Sequence, residues 1–180
     1  MPTVPTSPNT LGVLRALQTL LLNNALIGGV SPFAALGSAD ATRYGVARAI
    51  YIGAPKDFKD GYLPQCQLVA EGDAVTRAGA QGRATDEVLV RITAVADLTD
   101  WWTGEQTILA LRDAIWPVLL AHVRGGASTG TGFVALEQPD AEPHPNAGFG
   151  MLEVAGVWYR TWTCHVLARQ LWTPSGGLVP

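Results

Sequence analysis

The sequence predicts an α+β fold, with one mixed or antiparallel sheet and two main helices packed on one of its faces. Three observations predict it. Two segments repeat apolar residues at helical spacing, other segments alternate apolar and polar residues with a period of two, and the order along the chain is helix, strands, helix, strands. Repetition of helices or strands at a fixed period is not visible, which removes solenoids and propellers.

The first helix is predicted over about residues 9–27, with Leu14, Leu17, Leu21 and Ala25 on one face and Gly28 and Gly29 to stop it. A strand is expected around 46–52, a surface loop over 53–64, where Pro, Gly and charges cluster, and a second strand over 65–71. The stretch from Gly72 to Thr85 reads as a turn-rich loop, long enough to suggest a contact through Arg77 and Arg83 with acidic groups of a neighbour. After it comes the clearest strand, with Val88, Val90, Ile92, Ala94 and Ala96 on one face and Arg91, Thr93 and Asp97 on the other.

Asp100, Trp101 and Trp102 read as the turn into the second helix, with Thr103 and Gln106 at capping-box spacing and Glu105 in the first turn. Ile108, Leu111, Ile115, Val118, Leu119 and His122 mark its apolar side, Gly125 and Gly126 end it, and Pro117 is expected to kink it near Asp113. A flexible connection over 125–132 leads to a strand near 133–137 and an irregular loop over 139–150. The last segment is a long strand or a bent pair, with Val154, Trp158, Trp162, Cys164, Val166 and Ala168 on one face and Tyr159, Thr161, Thr163, His165 and Arg169 on the other. The chain thus reads as one domain over 1–180, with a flexible arm at 1–8 and a flexible tail at 173–180.

Composition bounds the function. Hydrophobic residues make up 48% of the chain and charged residues 15%, too apolar for disorder and poor enough in charge to leave apolar surface for a partner. A net charge of -3 supplies no global basic field for phosphate backbones. Apolar runs are too short to span a membrane, and residues 1–9 lack the Lys or Arg of a secretory signal, so the expected site of synthesis and residence is a cytoplasm. Two Cys far apart suit a reduced compartment and are read as buried thiols.

Candidate chemistry fails on physical grounds. Cys164 and His165 are adjacent in a strand and point to opposite faces, so the imidazole cannot activate that thiol. His122, His144 and His165 lack the short spacing of zinc ligands, and the glycines after Arg124 are not followed by the Lys of a phosphate loop. Asp57, Asp60, Asp97 and Asp100 lie in or beside turns, where Asp serves the backbone. The reading therefore carries no catalytic residue, cofactor or metal. The six Trp say more. Trp116, Trp158 and Trp162 are assigned to the core, whereas Trp101 and Trp102 stand side by side at a turn, where at most one points inward and the other is free for a neighbour.

From Leu63-Pro64 through the strand 88–96, the Trp-bearing turn and the helix 103–123, the chain resembles the tail terminator proteins of long-tailed bacteriophages. The order of elements matches over roughly residues 11–171 and includes the Leu-Arg-Asp segment at 111–113 and the aromatic-Arg pair Tyr159-Arg160. That resemblance implies a virion protein forming a homo-oligomeric ring, usually of six subunits, that caps the tail tube, ends its polymerisation and docks onto the head-side connector, while DNA passes through without specific binding. Pro117, the loop 139–150 and the two tails depart from the family pattern. A head-completion protein or tube subunit is the alternative of the same class, and a small-molecule enzyme or ligand-binding domain is one of a different class, marked by a deep apolar pocket.

Overall fold

The computed structural model describes residues 9–22, 50–53, 63–78, 83–122, 135–137 and 148–172, with the side chains of 22, 73–84, 121–122, 135–137 and 171–172 outside the description. Among the described residues, two helices, α1 (Thr10–Leu22) and α2 (Trp101–His122), accompany six strands: β1 (Ile50–Ile52), β2 (Gln65–Ala78), β3 (Arg83–Asp97), β4 (Ala135–Glu137), β5 (Gly148–Val154) and β6 (Val157–Trp172). They form one mixed sheet in the order β1-β2-β3-β6-β4, with β5 also paired to β6. β1 runs parallel to β2, and the other pairs are antiparallel. The α+β class expected from the sequence is the observed one.

Both helices cover one sheet face. Val13, Leu14, Leu17 and Leu21 of α1 and Ile108, Leu111, Ile115, Val118 and Leu119 of α2 share one apolar cluster with Cys66, Leu68, Val88, Val90, Ile92, Ala94, Trp162, Cys164 and Val166. This is the union of the two helical stripes and the period-2 faces, which meet because each element must bury its apolar side against another. Asn9 caps α1, its Oδ1 accepting from the Gly12 amide at 2.9 Å. Gln18 Nε2 donates to the Ile50 carbonyl at 2.6 Å, tying α1 to the short parallel strand. Residues 23–27 and 46–49, expected to extend α1 and β1, lie outside the described residues, as do the arm, the tail, the connection 125–132 and most of the loop 53–64.

Four expectations are corrected. Residues 72–78 and 83–85 form a β-ribbon and not a loop, because β2 and β3 stay in register out to Ala78↔Arg83, and β6 supports β3 out to Ala84↔Trp172; residues 79–82 lie outside the described residues. β5 already begins at Gly148, inside the expected loop 139–150. The second helix starts at Trp101 with Asp100 as its cap, Oδ1 accepting from the Trp102 amide and Oδ2 from the Thr103 amide and hydroxyl. Thr103 is therefore inside the helix, and the Thr103 hydroxyl, with the two amides, holds the Asp100 carboxyl below its ordinary range. A cap of that kind strengthens the helix above the ordinary carboxylate range and loses its effect as pH falls through the folded-state value. Finally, Trp158 is 48% exposed, because α2 begins level with Arg160 and leaves the strand end beyond it uncovered.

Cys164 and His165 do point to opposite faces. Cys164 is in the core cluster, and burial pushes its thiol up to about 12; burial also raises the Cys66 thiol. His165 lies on the second face, which is not open at this level: Gln65, Gln67, Val95, Thr161 and His165 are all buried there.

Gly104 sits where α2 passes the end of β3, and a Cβ there would overlap the backbone oxygen of Asp97. Gly104→Ala gains about 1 kcal/mol of helix propensity. The steric conflict with a backbone atom costs more, about 1–3 kcal/mol. The expected outcome is a lower urea midpoint at unchanged m-value; a stabilised variant would show that the β3–α2 connection yields without cost.

Candidate interaction surface

The functional candidate is built around Arg160. Period-2 alternation places Arg160 on the same sheet face as Trp162 and Cys164, so its side chain runs toward the first turns of α2. There Nε donates to Glu105 Oε2 at 2.5 Å and Nη2 to Glu105 Oε1 at 3.2 Å, while Nη1 donates to the Gly150 carbonyl at 3.1 Å. The guanidinium carbon also lies 5.9 Å from the Trp101 ring centre and 5.7 Å from that of Phe149. One side chain thus links β6, β5 and the start of α2 through a two-pronged carboxylate pair, a carbonyl and two aromatic contacts.

Exposed apolar groups gather on this clamp. Trp101 and Trp102 are 56% and 65% exposed, so neither points inward. On β5 and β6 the pairs Met151↔Arg160 and Glu153↔Trp158 place Met151, Glu153 and Trp158 beside the clamp on the same face as Phe149. Phe149, Met151 and Trp158 are each nearly half exposed. The hairpin turns at Ala155 and Gly156, both at positive φ (53° and 79°), the pattern of a tight primed turn. A residue with a Cβ seldom adopts that conformation, so Ala155 holds the turn under a strain of about 1 kcal/mol.

Arg77 and Arg83, named with Trp101 and Trp102 as contact residues, occupy the opposite end of β3, at the register positions Arg77↔Ala84 and Ala78↔Arg83. Their side chains lie outside the described ones. The fold brings Trp101 together with Phe149 and Trp158, leaves Trp102 beside Trp101 at the start of α2, and places the two Arg at the far end of the ribbon.

The second face carries a separate ionic ladder. Between Ala70 and Gly72 a bulge leaves Glu71 as an extra residue in β2. Its carboxylate accepts from Arg91 Nη1 at 2.9 Å and lies 2.9 Å from His165 Nε2, reaching across β3. Next along the ladder, Arg169 Nε donates to Glu87 Oε1 at 2.8 Å. Asp97 and Asp100 serve the backbone as expected, Asp97 Oδ1 accepting from the Thr99 amide at 3.1 Å. Among the described residues no helix is long and apolar enough to cross a membrane.

Aromatic side chains displayed on rigid, cross-linked elements form a surface suited to binding another macromolecule. No protein-family model and no curated protein matches the sequence. Among solved structures, the fold is similar to a chain described as "Virion of native gene transfer agent (GTA) particle", with a TM-score of 0.44 and 18% identity over 88% of this chain and 93% of that chain.

Proposed function

We propose that this chain is a structural virion protein without catalytic turnover, a subunit of a ring of six copies that caps the tail tube, ends its polymerisation and joins it to the head-side connector. The observation that carries the reading is the exposed aromatic end, where Trp101, Phe149 and Trp158 stand around the Arg160 clamp and Trp102 is exposed next to Trp101. Large aromatic side chains left half in water by the folded subunit are the residues that dominate subunit contacts. The order of elements shared with tail terminators supports the place in the tail, and the acid-leaning charge suits a channel that passes DNA without holding it. At the far end of the ribbon, Arg77 and Arg83 are proposed to meet acidic groups of an adjacent subunit or of the tube.

Trp101→Ala and Trp102→Ala should each weaken subunit association roughly tenfold or more, as removal of a contact-centre aromatic does, with an unchanged far-UV circular dichroism spectrum. Native mass measurement of the purified chain, alone and with tail tubes, checks both the ring and the cap. If the chain stays monomeric and leaves tube ends free, the reading falls. A different neck or tube component would instead form a ring that binds elsewhere in the particle.

A further inference from the structure

The ten large apolar side chains left exposed among the described residues divide into two groups. Five lie on the β5–β6 hairpin: Phe149, Met151, Leu152, Val157 and Trp158. Trp101, although on α2, stands with them across the Arg160 clamp, and the other four lie on the outer side of the helices: Leu11 on α1, and Trp102, Leu109 and Leu120 on α2. Trp102, Leu109 and Leu120 are separated by close to two and three helical turns, so they form one stripe on the solvent side of α2. Charge divides in the same way. On the hairpin, Arg160 is committed to Glu105, which leaves the exposed Glu153 with no ion pair among the described residues. On the helix layer, Arg112 is joined to Asp113, which leaves the exposed Arg15, one turn after Leu11, with none.

We infer that the β5–β6 hairpin of one copy lies across the outer face of α1 and α2 of the next copy, with Glu153 facing Arg15. This inference rests on the ring reading and supplies its contact. A ring that closes head to tail needs two different surfaces on each subunit, complementary to one another, and a contact of one patch with itself would stop at a dimer. The hairpin and the helix layer are two such surfaces: each apolar, each carrying, among the described residues, one charge without an ion pair, and the charges opposite. Hairpin and acceptor differ in shape as well. The hairpin sets Met151, Glu153 and Trp158 in line on one sheet face, with residues 153–158 reaching past the end of β3, and the acceptor is a layer of two helices.

The test inverts the charges in the full-length chain. Glu153→Arg and Arg15→Glu, each at an exposed position outside the core, should each lower the association constant roughly tenfold by placing like charges across the contact. The double variant Glu153→Arg with Arg15→Glu should recover wild-type association. Sedimentation velocity and mass photometry read the oligomer, and electron microscopy of tail tubes mixed with each variant reads the cap. Wild-type oligomers that ignore both single changes, or a double variant that fails to recover, overturn this contact and leave the ring standing. A Glu153→Arg variant that keeps its oligomer but no longer caps tubes assigns the hairpin to the tube and also overturns it. A wild-type chain that is monomeric with and without tubes removes the ring and the contact together.

Discussion

Trp162→Ala is expected to lower the free energy of unfolding by about 3–5 kcal/mol, the usual cost of emptying a large aromatic site in a core. Trp162 is 5% exposed and meets Trp116 edge to face, ring centres 6.0 Å apart and planes at 80°. That pair joins β6 to α2 and adds about 0.5–1.5 kcal/mol to simple burial. Its ladder partners are Ala94 on one side and Phe149 on the other. Ala94 is too small to refill the space. Phe149 is committed to the Arg160 side chain, and its movement inward would undo the clamp. Limited relaxation is the condition under which cavity cost approaches its upper range. Trp162→Phe keeps an edge-to-face partner for Trp116 and should cost less than half as much. Urea denaturation followed by circular dichroism measures both. A Trp162→Ala midpoint within error of the wild type would mean that α2 collapses onto the sheet and is not rigidly seated on it.

The parts of the fold legible in the sequence are those whose signal is local. Leu14, Leu17 and Leu21 declare a helix face by their own spacing, and Val88 to Ala96 declare a strand face, because burial on one side imposes the periodicity directly. The ribbon from Gly72 to Thr85 was not legible. Its Gly, Ala and charged residues have low strand preference, and what keeps them extended is pairing of 72–78 with β3, whose residues 84–89 are themselves paired to β6, far along the chain. Trp158 shows a different limit. Alternation assigns it correctly to the face of Trp162, but whether that face is covered depends on how far α2 reaches along β6, which no residue of β6 announces.

The site was legible only in part for the same reason. Trp101 and Trp102 announce themselves as neighbouring aromatics at a turn. Glu105 reads locally as a helix-start carboxylate and Arg160 as one half of an aromatic-Arg pair, while their contact spans 55 residues of sequence and leaves no spacing to detect. Glu71 and His165, 94 residues apart, are joined only because a bulge turns Glu71 toward the strand beyond its neighbour. A carboxylate and a guanidinium on different elements, each beside an aromatic, would have been the signal to follow.

Arg160→Ala is expected to cost about 2–4 kcal/mol, because it removes a largely buried cation and leaves a carboxylate behind. The Arg160 and Glu105 side chains are 17% and 26% exposed, so water replaces the lost partner incompletely. Arg160→Lys retains the charge but not the planar fork that meets both carboxylate oxygens and stacks on Trp101 and Phe149, and should recover less than half of the loss. In a double-mutant cycle with Glu105→Gln, the coupling energy should be about 1–3 kcal/mol and should change little between low salt and about 1 M NaCl, since a partly buried pair is weakly screened. The consequence for assembly is local. Without the bond to the Gly150 carbonyl, β5 is held by its ladder with β6 alone, so amide exchange should rise along 148–154 while β3, between two long partners, stays protected. A loosened hairpin must be ordered again when subunits meet, so association should weaken even at temperatures where the variant remains folded. Unchanged stability together with unchanged exchange in β5 would reduce Arg160 to a surface residue that clamps nothing.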